Sequence, residues 1–225
     1  KLAHEIKNPL TPIQLTVDRL RSKYSEKIED QDKNDFSKSL MVIGKQIKQI
    51  ENLVNEFSDF ARMPKPILKD NNLVSLIKDN IRLINELDSE ISIDFKVDKQ
   101  TILLNSDSEQ LSRVFFNLLK NAIESVQEKK IDNKNFKGKI DVFLNEVGDK
   151  VNFIIVDNGL GFGIFADNIK DILNPYFTTK KKGTGLGLAI VNKIINDHNG
   201  KINFIPLDNG AKIEIIFIKK WVPKF

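Results

Sequence analysis

Two runs of apolar side chains at heptad spacing, stopped by Met63-Pro64-Lys65-Pro66, constrain residues 1–62 to a helical hairpin. In the first run Ile6, Leu10, Ile13, Val17, Leu20 and Tyr24 follow one another in steps of four and three. In the second, Leu40, Ile43, Ile47, Ile50, Val54, Phe57 and Ala61 do the same. That spacing lines each set along one stripe of an α-helix. The polar stretch from Glu29 to Asp35 is the expected turn. A lone hairpin leaves part of both stripes in water, and pairing two hairpins into a four-helix bundle removes the exposure, so a homodimer is expected. The alternative is a monomeric hairpin packed on the rest of the chain.

The two prolines of the stop make residues 63–66 a short stiff linker, and residues 67–225 alternate helix and strand patterns. Asn72 is a cap for a helix running to Leu87. Ile91–Val97 alternates as a strand does, and Thr101–Leu104 reads as a short one. Ser108 opens a long helix to about Lys129. Lys139–Glu146 and Val151–Val156 form a hairpin, Leu186–Asp197 is helical with Asn199-Gly200 closing it, and Asp208-Asn209-Gly210 turns Lys201–Ile205 back into Ala211–Ile218. The class is α+β, with antiparallel strands covered by helices on one face.

Composition narrows the partners. Among 225 residues, hydrophobic side chains make up 40% and charged ones 29%, and the net charge is +4 with acids and bases interleaved. No nucleic-acid-binding pattern is present, so nucleic acid is not an expected partner. Cysteine is absent, which excludes disulfides and thiolate metal sites. No apolar run reaches the roughly 18 residues that cross a bilayer. Lys1 is not an initiator methionine and stands three residues before His4. The expectation is a cytoplasmic piece of a longer protein, with any preceding sensor region and membrane anchor left open.

Four clusters bear chemistry. His4 precedes the stripe residue Ile6 by two positions and is expected to face solvent, with Glu5 beside it and Asn8 one turn on. A neutral imidazole is a nucleophile near pH 7, and a neighbouring carboxylate can orient it and take its proton. On its own, such a histidine is an ordinary surface residue. Asn117 and Asn121 are four apart on the long helix and share a face, where amide oxygens suit the hard cation Mg²⁺. Alone they read equally as a polar stripe. Asp157 ends the apolar strand Phe153–Val156 and leads into Asn158-Gly159-Leu160-Gly161. Its carboxylate can accept the amino group of adenine, and the glycines let the backbone approach a ligand. A plain turn is the alternative. Gly183-Thr184-Gly185-Leu186-Gly187 opens a helix, whose N–H groups make a phosphate site. Between the glycine motifs, Tyr176 and Phe177 precede Lys180, Lys181 and Lys182, which attract phosphate or else form a solvated loop. Neither glycine motif is a Walker A loop or a Rossmann fingerprint.

The order and spacing of these clusters resemble a bacterial sensor histidine kinase over essentially the whole chain. His4-Glu5-Ile6-Lys7-Asn8-Pro9 resembles the H-box, Asn117–Asn121 the N-box of the GHKL ATPases, Asp157–Gly163 the G1 box, Pro175–Lys182 the F-box and mobile ATP lid, and Gly183–Gly187 the G2 box. The stretches around His4 and Asp59-Phe60-Ala61-Arg62-Met63-Pro64 resemble NtrY-type nitrogen-regulation sensors. The resemblance implies a HisKA phosphoacceptor hairpin that dimerises (residues 1–62), a linker (63–66) and a Bergerat-type ATP-binding sandwich (67–225). It implies that the γ-phosphoryl of ATP passes to His4, assisted by Glu5, and then to an aspartate of a response regulator receiver domain. Asn8 would position water for dephosphorylating that regulator. The nucleotide contacts it implies are Asn117, Lys120, Asn121, Asp157, Gly159, Gly161, Phe177, Lys180, Gly183, Thr184, Gly185, Leu186 and Gly187, with Mg²⁺ on Asn117 and Asn121. In conformational ATPases of the superfamily a catalytic Glu stands four residues before the first N-box Asn. Here that position is Arg113, which disfavours the ATPase reading and leaves a silent nucleotide-binding scaffold as the other rival. His198 is expected to cap a helix or lie on the surface.

Overall fold

The computed structural model describes residues 2–87, 90–133, 135–162, 171–178 and 183–219, without the side chains of residues 2–5, 30, 87 and 132. The chain divides into two compact units, Lys1–Pro64 and Lys65–Phe225.

The first unit is a pair of helices, α1 (Leu2–Tyr24) and α2 (Asp30–Ala61). Val17, Leu40 and Ile47 are buried between them, with Leu10 and Phe36 packed alongside. The other half of each stripe stays in water: Ile13 is 46% exposed, Ile43 43% and Ile50 44%. The turn is shorter than the sequence suggests. The stretch Glu29–Asp35 is not a loop, because α2 already begins at Asp30 with Glu29 at its N-cap. Aspartates in a first turn are favoured by the helix dipole, so a polar stretch can be helical there. Pro9 and Pro12 lie within α1. They deprive the carbonyls of Glu5 and Asn8 of their usual helical donors, and Thr16 Oγ1 donates to the Pro12 carbonyl at 2.8 Å.

The second unit holds β1 (Lys69–Asn72), α3 (Leu73–Leu87), β2 (Ser92–Val97), β3 (Leu103–Ser106), α4 (Ser108–Asp132), β4 (Lys139–Val147), β5 (Lys150–Asp157), α5 (Gly187–Asp197), β6 (Lys201–Leu207) and β7 (Gly210–Ile218). Five strands form one sheet in the order β2-β4-β5-β7-β6, and β1 pairs with β3. The α+β expectation holds, with one difference: β2 runs parallel to β4, while the other pairs in that sheet are antiparallel. A parallel neighbour requires a crossover, and α4 lies in it. The short strand expected at 101–104 sits at 103–106, and its partner β1 was not expected at all. Four residues rich in Asn and Asp carry no alternation to read.

Along β4, β5 and β7, every second residue faces the helices. Val142, Leu144, Phe153, Ile215 and Phe217 are all fully buried, as are Leu111, Phe115, Leu118 and Ile194 on the helices. Phe115 and Phe153 meet with their rings tilted at 44° and centroids 4.8 Å apart. Each such side chain contributes about 1.5–3 kcal/mol by leaving water. Asn72 caps α3, its Oδ1 accepting from Val74 N at 3.1 Å. The end of α5 is a Schellman motif: Gly200 N donates to the Ile195 carbonyl at 2.8 Å and Asn199 N to that of Asn196 at 2.9 Å. Asn199 takes the left-handed position, with φ 53°. His198 caps this helix but is buried, so the surface alternative is excluded. Its Nδ1 lies 2.8 Å from the Ile194 carbonyl, and its Nε2 accepts from Asp107 N at 3.0 Å. Nδ1 thus holds the ring on α5 itself, while Nε2 joins the end of α5 to the start of α4.

Candidate nucleotide site

Helix α4 starts at a cap: Asp107 Oδ1 accepts from Gln110 N at 3.0 Å, while its Oδ2 accepts from Ile67 N at 2.8 Å. Its apolar face is buried from Leu111 to Val126. The opposite ridge carries Asn117 and Asn121, both half-buried. Asn117 Nδ2 donates to the Arg113 carbonyl at 2.8 Å, which commits the amino end of the amide and leaves Oδ1 to accept. That oxygen faces the start of α5, where a Cβ added to Gly187 would lie 3.4 Å from it. Lys120 lies off the ridge and is exposed, with Nζ 3.9 Å from Glu124 Oε1.

Asp157 is 7% exposed at the end of β5. Burial pushes its carboxyl above the usual carboxylate range, opposed by hydrogen bonds from Gly159 N, Ala211 N and the Ser125 hydroxyl and by the charge of Lys129. Gly159 N reaches Oδ1 at 2.9 Å. The turn that follows is packed so closely that side chains do not fit. A Cβ on Gly159 would lie 2.6 Å from the Ser125 carbonyl carbon, and one on Gly161 would lie 2.5 Å from the Gly210 carbonyl oxygen. Ser125 Oγ accepts from Leu160 N at 3.0 Å. Phe162 continues the chain and meets Phe204 edge-on at 5.9 Å.

The second glycine motif is tied to the aromatic pair before it. Tyr176 N donates to the Gly185 carbonyl at 3.0 Å. Tyr176 has φ 69° and Gly185 φ 70°, and a Cβ on Gly185 would lie 2.7 Å from Tyr176 Cα. Only glycine meets both conditions at 185. Phe177 is half-buried and its N–H donates to the Asn174 carbonyl at 3.2 Å. Thr184 Oγ1 accepts from Leu186 N at 3.4 Å. The side chain of Leu186 is fully buried, so only its backbone can face a ligand. Gly183 and Gly187 are half-buried.

One helix therefore meets both glycine turns, Ser125 at the first and Asn117 at the second. The side chains of His4 and Glu5 lie outside the described residues, as do Gly163 and the lysines Lys180, Lys181 and Lys182. Asn8 is exposed on α1. The sequence reading passed over Ser125, Lys129 and Gly210. A signal for the first two was present, since Asn117, Asn121, Ser125 and Lys129 follow in steps of four along α4, the spacing of one helical ridge. Among the described residues no group of three or more His, Cys, Asp or Glu is placed to hold a metal ion, so a cation here would rest on amide oxygens and phosphate. No helix among those residues is long and apolar enough to cross a membrane.

Comparison with known proteins agrees with the geometry. Residues 106–220 match the model of the histidine kinase-, DNA gyrase B- and HSP90-like ATPases, and residues 1–66 that of the His Kinase A (phospho-acceptor) domain. The chain is 38% identical to nitrogen regulation protein NtrY of Azorhizobium caulinodans over 217 residues, which is 96% of this chain and 28% of that protein. It is 32% identical to signal transduction histidine-protein kinase AtoS of Escherichia coli, over 96% of this chain and 33% of that one. The chain thus spans about a third of the length of the curated relatives it matches. Among solved structures it is similar to histidine kinase ThkA in complex with response regulator protein TrrA, with TM-score 0.68 and 26% identity over 97% of this chain and 60% of that chain.

Proposed function

The chain belongs to the histidine kinase-, DNA gyrase B- and HSP90-like ATPase family and opens with a His Kinase A (phospho-acceptor) domain; from that premise we propose that it is the kinase core of a two-component sensor, acting in the cytoplasm as a homodimer. Residues 1–62 form the phosphoacceptor hairpin, 63–66 the linker and 67–225 the ATP-binding unit. What supports the nucleotide site is that α4 abuts both glycine turns, so a ligand of the length of ATP touches all three. The exposed halves of the two stripes support the dimer, since a second hairpin would bury Ile13, Ile43 and Ile50.

In the reaction, Asp157 accepts the adenine amino group, and the backbone N–H groups of Gly183–Gly187 hold phosphate oxygens at the start of α5. Lys120 and Lys180 add positive charge, and Phe177 closes the base of the loop between the glycine motifs. The amide oxygens of Asn117 and Asn121 would hold Mg²⁺, a fit supported by the commitment of the Asn117 amino group to Arg113. When bound, the cation neutralises charge on the triphosphate. A ring nitrogen of His4 attacks the γ-phosphorus. The bond to the bridging oxygen breaks, ADP leaves, and Glu5 takes the imidazole proton. The phosphoryl then passes to an aspartate on a response regulator. Asn8, one turn from His4, positions the water that later removes it.

Incubation with γ-labelled ATP tests the reading. The label should be acid-labile, and His4→Gln should abolish it while leaving ATP affinity within about twofold, because His4 belongs to the other unit. Label that survives in the variant assigns the phosphoacceptor elsewhere. Phosphate release without label identifies an ATPase instead.

A further inference from the structure

Lys129 has no part in the mechanism above, yet it closes the ridge on which that mechanism rests. Its half-buried side chain reaches out of α4 to the turn after Asp157. Nζ donates to the Asn158 carbonyl at 2.8 Å and to the Gly159 carbonyl at 3.0 Å, with the Phe136 ring 4.9 Å away. A lysine in the last turn of a helix ordinarily meets the helix dipole from solvent. Its neighbour Lys130 is turned elsewhere and pairs with Glu90. Lys129 instead directs its donors to two successive carbonyls, 29 and 30 residues along the chain. Hydrogen bonds from an ionised donor are the strong class.

One turn earlier, Ser125 receives Leu160 N. Two α4 side chains therefore hold Asn158, Gly159 and Leu160 in succession. From the other side Asn158 is fixed by Lys139 N, which donates to its Oδ1 at 2.8 Å. The Gly159 N–H that this clamp orients is the donor to Asp157 Oδ1. Removal of Lys129 takes away the bonds to the Asn158 and Gly159 carbonyls and so loosens the peptide whose N–H is one of the three donors to the carboxylate.

We propose that Lys129 is a positioning residue for base recognition: by clamping the Asn158 and Gly159 carbonyls it holds the Asp157 carboxylate toward the 6-amino group of a purine, and so sets the preference for adenine over 6-oxopurine nucleotides. The proposal rests on the reading of Asp157 given above.

Calorimetric titration of the chain with Mg²⁺ and either ATP or inosine triphosphate tests it. Lys129→Met should weaken ATP about tenfold and change the inosine nucleotide by less than about twofold, while Lys129→Arg should keep the ratio of the two within about threefold of wild type. Equal weakening of both nucleotides makes Lys129 a merely structural residue and overturns the proposal, as does no weakening. Asp157→Asn separates the clamp from the reading beneath it. A preserved preference in that variant removes Asp157 from base recognition, and the proposal falls with it. A lost preference in Asp157→Asn together with a preserved one in Lys129→Met overturns the clamp alone. Circular dichroism checks folding, and if Lys129→Met does not fold, Lys129→Gln carries the same expectation.

Discussion

Asp157 is a residue kept at a cost. Burial raises its carboxyl above the usual range, and the hydrogen bonds and the nearby lysine only partly oppose this. An acid whose folded pKa exceeds its unfolded value destabilises the fold once pH is above both, and the penalty vanishes below both. Asp157→Asn should therefore raise the melting temperature at pH 7 relative to wild type, and that gain should shrink as pH falls toward the unfolded carboxylate range. The same variant should bind ATP about 5–150-fold more weakly, the loss of a base contact worth roughly 1–3 kcal/mol. Thermal melts across pH and titration with ATP check the two halves. A variant that is neither more stable at neutral pH nor weaker in binding would contradict both the burial argument and the assigned role. Local strain at a ligand site is of the same kind, and Tyr176 at φ 69° beside Gly185 is its backbone counterpart.

Among the elements, α5 shows how a site can be held from its far end. Its N-terminus follows directly on the second glycine motif, whereas its last turn is locked by the Schellman bonds and by His198 reaching Asp107. Asn199 supplies the left-handed residue, a conformation Asn tolerates and a residue with a plain Cβ does not. Asn199→Ala should lower stability by about 1 kcal/mol and Asn199→Gly should not; urea unfolding of both variants measures it. This closure was legible, since Asn-Gly after a helical pattern is a stop signal. So were the β4–β5 and β6–β7 hairpins, whose alternation and turn residues act over short distances. What was hidden depends on contacts between distant segments. The direction of β2 is decided by where the α4 crossover returns, the strand β1 by pairing with a segment some 35 residues on, and the roles of Ser125 and Lys129 by a turn that passes their helix. Lys129 in particular reads from the sequence only as the end of the long helix. The stripe from Asn117 extends to it, but only the fold brings the Asn158 and Gly159 carbonyls within its reach.

At the scale of the whole molecule, the apolar stripes of the hairpin are half used. Leu10, Val17, Leu40 and Ile47 pack within one chain, while Ile13, Leu20, Ile43 and Ile50 remain exposed. Uncovered apolar stripes on this scale mark an association surface. Ile43→Glu with Ile50→Glu should convert a dimer to a monomer by sedimentation equilibrium. The ATP-binding unit should keep its nucleotide affinity, because its core is its own. Helicity of residues 1–62 should fall in that variant, since most helical stability comes from packing. A variant that remains dimeric would show that the stripes are covered in some other way.

The parallel pairing of β2 with β4 also orders events in time. The β4–β5 and β6–β7 hairpins can zip through local turns. By contrast, β2 can join β4 only after the chain from Val97 to Lys139 has looped back through α4, and β5 can join β7 only after the chain from Asp157 to Gly210 has returned through α5 and β6. Long loops must be closed before their contacts reward them. The helix that carries Asn117 and Asn121 is therefore expected to reach its place late, as the two hairpins join into one sheet. A nucleotide present during refolding would then find nothing to bind until the final step, and would act by slowing the reverse reaction, so that the protein's lifetime against unfolding, more than its speed of folding, is set by the ligand it holds.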